Sequence, residues 1–132
     1  MSGTVHIPLD EASGSTVRDV MMREARSVGP ATPISEVRET FSSPGVKLML
    51  VTDGERFLGT LGRDDLPADG DGPIEPHVRA DRPSLSPDDP VENALTLIRE
   101  QDMTRIPVVD GDQLLGLVCF NKTHSAFCVD PS

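Results

Sequence analysis

Three side chains near the C-terminus, Cys119, His124 and Cys128, are of the types that hold soft metals or carry thiol chemistry. Their spacing matches no structural zinc pattern and no Cys-x-x-Cys accompanies them, so no metal site is expected. Cys119 ends an apolar run, where a small thiol packs as a core residue. His124 and Ser125 are neighbours in sequence only, and no Gly-x-Ser-x-Gly elbow is present to aim a nucleophile. The stretch GDGPIEP lacks the Lys-Ser/Thr ending of a phosphate loop and reads as a linker. His6 and His77 stand isolated. No catalytic residue is expected, and the chain reads as a non-enzyme. A metal- or thiol-based sensor would have to use Cys119 and Cys128.

Composition narrows the partners. The formal net charge is −10, from 12 Lys and Arg against 22 Asp and Glu. Nucleic-acid binders draw affinity from cations set against phosphates, so neither nucleic acid nor an anionic membrane surface is expected. Four Phe and no Trp or Tyr leave little for stacking bases. A small anionic ligand stays open, because one Arg acts inside a cleft while the far field is negative. No apolar run reaches the ~18 residues of a membrane span. The start, MSGTVHIPLDEASGST, lacks the basic and apolar regions of a secretory signal. A cytoplasmic protein with reduced thiols is the expectation.

The elements that would position any site are written twice. An offset of 57 pairs Ser27 with Ser84, Pro30 with Pro87, Pro33 with Pro90 and Val51 with Val108. It also pairs Asp53-Gly54 with Asp110-Gly111 and Leu58-Gly59 with Leu115-Gly116. Apolar rows stay in register between, as in Ile34 with Val91, Phe41 with Ile98 and Leu61 with Val118. The match runs without a gap from Val17 with Ile74 to Leu66 with Thr123. Identities that fall on Pro, Gly and the apolar rows mark a duplicated unit.

Each copy reads as a short strand, a helix and a hairpin. Ser27-Val28 and Ser84-Leu85 are extended. Asp88-Asp89-Pro90 opens a helix, with Asp at the cap and Pro in the first turn. Val91, Ala94, Leu95 and Ile98 then share one face, as do Ile34, Val37 and Phe41 until Pro44-Gly45 stops the first helix. KLMLVTDGERFLGTL and TRIPVVDGDQLLGLV are hairpins whose Asp-Gly turns supply a positive φ. Gly59 and Gly116 mark a bulge or the close approach of another backbone or a ligand. Met21, Met22, Met49 and Met103 fall at core-facing positions. Residues 16–66 form the first repeat, 67–73 a linker and 74–128 the second, with 1–15 an N-terminal arm or edge segment.

SLSPDDPVENAL with MTRIPVVDGDQLLGLV, VRDVM (residues 17–21) and GTLGRDDL (residues 59–66) resemble the tandem cystathionine-β-synthase (CBS) domain family, the CBS pair or Bateman module. The resemblance implies an α/β (α+β) fold: two β-α-β-β-α repeats packed with pseudo-two-fold symmetry. It also implies a regulatory module that binds AMP, ADP, ATP, NAD or S-adenosylmethionine between the repeats, associates as a homodimer and acts on a regulated protein. No other cofactor is implied.

Carried over by position, the family's ribose acceptor falls on Asp65, with Gly62 where the family has Ser or Thr. In the second copy these positions hold Lys122 and Cys119, which depart from the pattern. The family's phosphate contact falls on Arg105; its partner at the offset is Leu48, with Lys47 beside it. The resemblance therefore implies one working cleft, with Asp65 on the ribose, Arg105 and Thr104 near the phosphates, and Ser27-Val28 along the base. The alternative is a ligand-free dimerisation scaffold. In that reading Asp65, among Asp64, Asp69 and Asp71 and cut off by Pro67, is a solvated capping carboxylate, and Arg105 pairs with Asp102.

Overall fold

Both hairpins form where the Asp-Gly pairs predict them. The computed structural model describes residues 5–23, 27–43, 46, 48–68, 70–123 and 125–129. The expectations for Pro44, Gly45, Lys47, Asp69 and His124 lie outside the described residues. Strands β3 (Leu48–Asp53) and β4 (Arg56–Gly62) are antiparallel, as are β5 (Arg105–Asp110) and β6 (Gln113–Asn121). Asp53 and Asp110 are the last paired residues, and Gly54 and Gly111, at φ +65° and +66°, take the first loop position. That position needs a backbone glycine reaches without a Cβ penalty. Both hairpins bulge at the same place: Val51 faces Gly59 but Thr52 faces Phe57, and Val108 faces Gly116 but Val109 faces Leu114.

Helices α3 (Ile34–Phe41) and α4 (Val91–Gln101) bury Ile34, Val37 and Phe41 in one and Val91, Ala94 and Ile98 in the other, while Leu95, expected on the same face, packs only half-buried against the core. The expected Asp cap is corrected. Pro90 takes the N-cap (φ −68°, ψ 151°), as Pro33 does for α3, and the Asp89 carboxylate accepts from the Ser86 N–H at 2.9 Å. Asp89 thus closes the turn before the helix, and proline's fixed φ sets the approach.

The room for a closing helix is filled differently in each copy. After β4 comes a single 3-10 turn, Arg63–Asp65, and Leu66 is already extended (φ −80°, ψ 142°). The ring of Pro67 disfavours a helical residue before it. After β6 the chain turns into β7 (Ala126–Val129), which pairs with β6 and with β1 (Val5–Pro8). Within the N-terminal arm, Val5–Pro8 is therefore an edge strand, followed by the short helix α1 (Leu9–Ala12).

The chain divides into two units, Met1–Ala25 with Pro83–Ser132, and Arg26–Arg82. Their boundaries cut across the repeats, because each repeat's leading segment folds with the other's hairpin. In the first unit, which carries α2 (Val17–Val20), Val17 N–H donates to Asp89 O (2.8 Å), Arg18 N–H to Pro87 O (3.0 Å) and Val91 N–H to Ser15 O (3.0 Å). In the second, the residues 57 positions away bond alike: Ile74 to Thr32 (3.0 Å), Glu75 to Pro30 (3.2 Å) and Ile34 to Gly72 (2.8 Å). Met22 exchanges two bonds with Leu117, and its counterpart Arg79 exchanges two with Thr60. The exchange is reciprocal.

The second unit orders its strands β2-β3-β4, with β2 (Ser27–Val28) parallel to β3; the first orders them β1-β7-β6-β5. Its core of Ile34, Val37, Phe41, Val51, Leu61 and Ile74 has a counterpart at the offset for every member in the core of the first. Met21 is buried, while Met49 and Met103 pack half-buried against their cores.

The glycines of the returning strands make room for this exchange. A Cβ on Gly59, whose φ is +149°, would lie 2.6 Å from the Arg79 carbonyl oxygen, and one on Gly116 would collide with the Met22 carbonyl. Gly59→Ala and Gly116→Ala should each cost about 1–3 kcal/mol, as overpacking against fixed backbone does. Gly29→Ala, in open space without a positive φ, should stay within about 0.5 kcal/mol. Urea midpoints of the three variants check this ordering.

Candidate functional site

Asp65 ends the 3-10 turn after β4, with its side chain only 9% exposed. Its Oδ2 accepts the Gly62 N–H at 2.6 Å, which caps the turn. Arg82 grips both oxygens: Nη1 lies 2.6 Å from Oδ2, and Nη2 donates to Oδ1 at 3.0 Å. Arg79 Nη1 lies 3.7 Å from Oδ1, and the rest of its fork is held by Asp81, with two bonds of 3.1 Å. Burial pushes the Asp65 carboxyl up, but the Arg82 hydrogen bond, the Gly62 N–H and the two guanidinium charges outweigh it and hold it below the ordinary 3.8. Asp65 is therefore a capping carboxylate, as one reading of the sequence had it, but a buried and ion-paired one rather than a solvated one.

The same guanidinium reaches back to the sheet, where Arg82 Nη1 donates to Thr60 Oγ1 at 3.3 Å. Thr60 and Thr52 are the buried polar side chains among the described residues, and Thr52 Oγ1 donates to Ser27 Oγ at 3.0 Å. A hydroxyl taken out of water needs such a partner. Ser27, Thr52 and Thr60 share the strand face opposite Val51 and Leu61. Val28, one residue on, packs half-buried against the apolar core on the other face.

Arg79, Arg82, Thr52 and Thr60 were not singled out from the sequence. The repeat alignment carries the signal for the two arginines, since their counterparts are Met22 and Ala25. The linker is also anchored: Asp71 accepts from the Ser35 N–H and hydroxyl at 3.2 Å, and Arg38 donates to the Gly70 and Pro67 carbonyls at 2.8 Å.

Thr104 and Arg105 belong to the other unit. The Thr104 carbonyl accepts from Phe120 N–H at 2.9 Å and from Arg105 Nη1 at 3.2 Å. The Arg105–Asp102 pair weighed from the sequence is replaced, because Asp102, at the left-handed end of α4, pairs with Lys122. Lys122, where the first copy has Asp65, thus finds its own carboxylate. Arg105 faces Cys119 across β5 and β6, and Cys119 faces Cys128 across β6 and β7. Both thiols are free and buried. Burial pushes the Cys119 thiol up to about 11, opposed by the Arg105 charge and reinforced by Cys128.

Two outcomes follow. Asp65→Asn should destabilise the chain by about 1–3 kcal/mol at neutral pH, the worth of a buried charge-assisted contact. Because the folded carboxyl is depressed, the wild-type advantage is complete above 3.8 and fades as pH falls through the lower folded value. Melts of both proteins across acid pH should converge. Iodoacetamide at pH 8 should leave Cys119 largely unmodified in the native protein and label it rapidly in urea, since the thiolate is the nucleophile.

Comparison with known proteins places this geometry. The CBS domain model matches residues 17–66 and 77–120. The chain is 28% identical over 108 residues to the A-adding tRNA nucleotidyltransferase of Geobacter sulfurreducens, covering 78% of this chain but only 12% of that enzyme. It is 25% identical over 111 residues to the CBS domain-containing protein YhcV of Bacillus subtilis, covering 79% of each. The fold superposes on CBSX2, solved in complex with AMP, with a TM-score of 0.70 at 21% identity over 85% of this chain and 93% of that one. It superposes on the CBS domain pair of protein MJ0100, solved with 5′-methylthioadenosine and S-adenosyl-L-methionine, with a TM-score of 0.63 at 17% identity over 80% and 89%. At these identities the structural likeness is one of fold. With the CBS domain matched in both repeats and over most of its length, the chain belongs to the CBS domain family.

Proposed function

We propose that the chain is a regulatory module that binds an adenine nucleotide or adenosyl ligand and acts by binding rather than catalysis. Asp65 is the ribose acceptor and Arg105 the phosphate contact, with Thr104 and Ser27 as further contacts; the Val28 side chain turns to the core, so only its backbone is left for the base. The observation that carries this reading is the state of Asp65. The family's ribose position holds a carboxylate that is nine-tenths buried and kept ionised by its neighbours. An ionised carboxylate accepts two hydroxyl hydrogens, and a guanidinium binds phosphate oxygens in a fork. The AMP bound to CBSX2 and the adenosyl compounds bound to MJ0100 support the ligand class. Such a ligand biases a regulated partner, or a homodimer of this chain, only through contacts that differ between two states.

One observation favours the ligand-free scaffold instead: Arg82 already holds both oxygens of Asp65. Thermal melts with AMP, ADP, ATP, NAD and S-adenosylmethionine separate the two. A ligand at 100 times its Kd stabilises by about 2.7 kcal/mol, which raises the midpoint by several degrees. The module predicts such a rise with at least one ligand, lost in Asp65→Ala and Arg105→Ala. A flat response to all five identifies the scaffold.

A further inference from the structure

The Arg82 guanidinium stands where a ribose would have to bind. A carboxylate offers about four acceptor sites. On Asp65, the Gly62 N–H and Arg82 Nη2 fill two, Arg82 Nη1 crowds Oδ2 from 2.6 Å as an ion pair, and Arg79 Nη1 stands 3.7 Å from Oδ1. A ligand that places two ribose hydroxyls on Asp65 must therefore break at least one Arg82 contact. The Arg82 side chain is 29% exposed, so water compensates the loss only in part. A ligand that brings its own anion restores the pairing, and one without an anion leaves a half-buried cation stranded. A nucleoside 5′-phosphate is of the first kind; adenosine and 5′-methylthioadenosine are of the second.

The surroundings are built for such an exchange. Arg82 is tethered to Thr60 Oγ1 as well as to Asp65, so its head stays at the site when the carboxylate is taken. Arg79 stands beside it, half-exposed, and its backbone is fixed by two hydrogen bonds to Thr60. The other unit has no equivalent. At the offset of 57, Thr60, Asp65, Arg79 and Arg82 become Leu117, Lys122, Met22 and Ala25.

We propose that Arg82, with Arg79 beside it, makes the Asp65 site selective for nucleoside 5′-phosphates over uncharged adenosyl compounds, by moving from the carboxylate to the phosphate as the ligand binds. This rests on the reading of Asp65 as ribose acceptor. The test is calorimetric titration of AMP and adenosine into wild type, Arg82→Ala and Arg82→Gln. Wild type should bind AMP about tenfold or more tighter than adenosine, the worth of one charge-assisted hydrogen bond. In Arg82→Ala the AMP affinity should fall and the adenosine affinity hold or rise, bringing the two within about threefold. Arg82→Gln keeps a donor toward Asp65 without the charge and reads the same ratio where the alanine variant unfolds. Equal binding of AMP and adenosine to wild type, or an AMP preference unchanged in both variants, overturns the selectivity and leaves the ribose reading intact. Failure of both ligands to bind wild type overturns the ribose reading, and the selectivity with it.

Discussion

The backbone of Arg79 lies so close to Gly59 that a methyl group would not fit between them, and Met22 lies against Gly116 in the same way. These two approaches let each repeat's leading segment hydrogen-bond to the returning strand of the other. A helix and a hairpin alone fall below the ~40 residues at which a core usually sustains itself. The exchanged segment supplies what is missing: Ile74 enters the core of the second unit and Val17 that of the first, both fully buried. The second unit is continuous in sequence, whereas the first joins the two ends of the chain. Its closure carries the larger loop-entropy cost, and its larger core, with Phe120 and Phe127 edge-to-face at 5.2 Å, offsets that cost.

The exchange also assembles the polar site. Arg79 and Arg82 reach Asp65 because Arg79 pairs with Thr60 of β4, and Thr60 ties the two together, bonding Arg79 through its backbone and Arg82 through its hydroxyl. Arg79 is thus positioned by one backbone bridge to β4, and Arg82 by its side-chain bond to the Thr60 hydroxyl. Where the first unit repeats the backbone bonds but not the side chains, the charge is reversed: Lys122 stands in for Asp65 and is satisfied by Asp102. Two copies of one backbone have thereby come to carry different chemistry.

What could be read in the sequence was local. The Asp-Gly turns, the bulges at Leu58-Gly59 and Leu115-Gly116, and the buried faces of α3 and α4 depend on residues a few positions apart, and Gly, Pro and apolar spacing mark them. Asp65 stands out through its motif. The exchange of segments was not legible, because Val17 and Ile74 are alike in type and their spacing does not tell which core each joins. The partners of Asp65 escaped for a related reason: Arg82 is 17 residues away, and only the fold brings it near. The cap at Pro90 rather than Asp89 is a shift of one residue, decided by whether the carboxylate turns to Ser86 or to the helix. The edge strand β1 is short and ends in a proline, which leaves little pattern to detect.

The overall charge sharpens the question of how an anion would be chosen here. A chain of net charge −10 repels phosphates at a distance, but at physiological salt that repulsion is screened beyond about 8 Å. Discrimination must then arise at contact, from groups already stripped of much of their water. Asp65 and Arg82 are such a pair, and Asp81 balances Arg79 at the rim. The cluster is close to neutral as it stands, so adding an uncharged nucleoside leaves its charge balanced while breaking its best contact. Adding a phosphate makes it more negative, yet returns to Arg82 a partner with more acceptor oxygens than the one it gives up. On the proposed reading, affinity is set by this exchange of partners and not by attraction from solution. It should therefore depend only weakly on ionic strength, although the ligand carries charge.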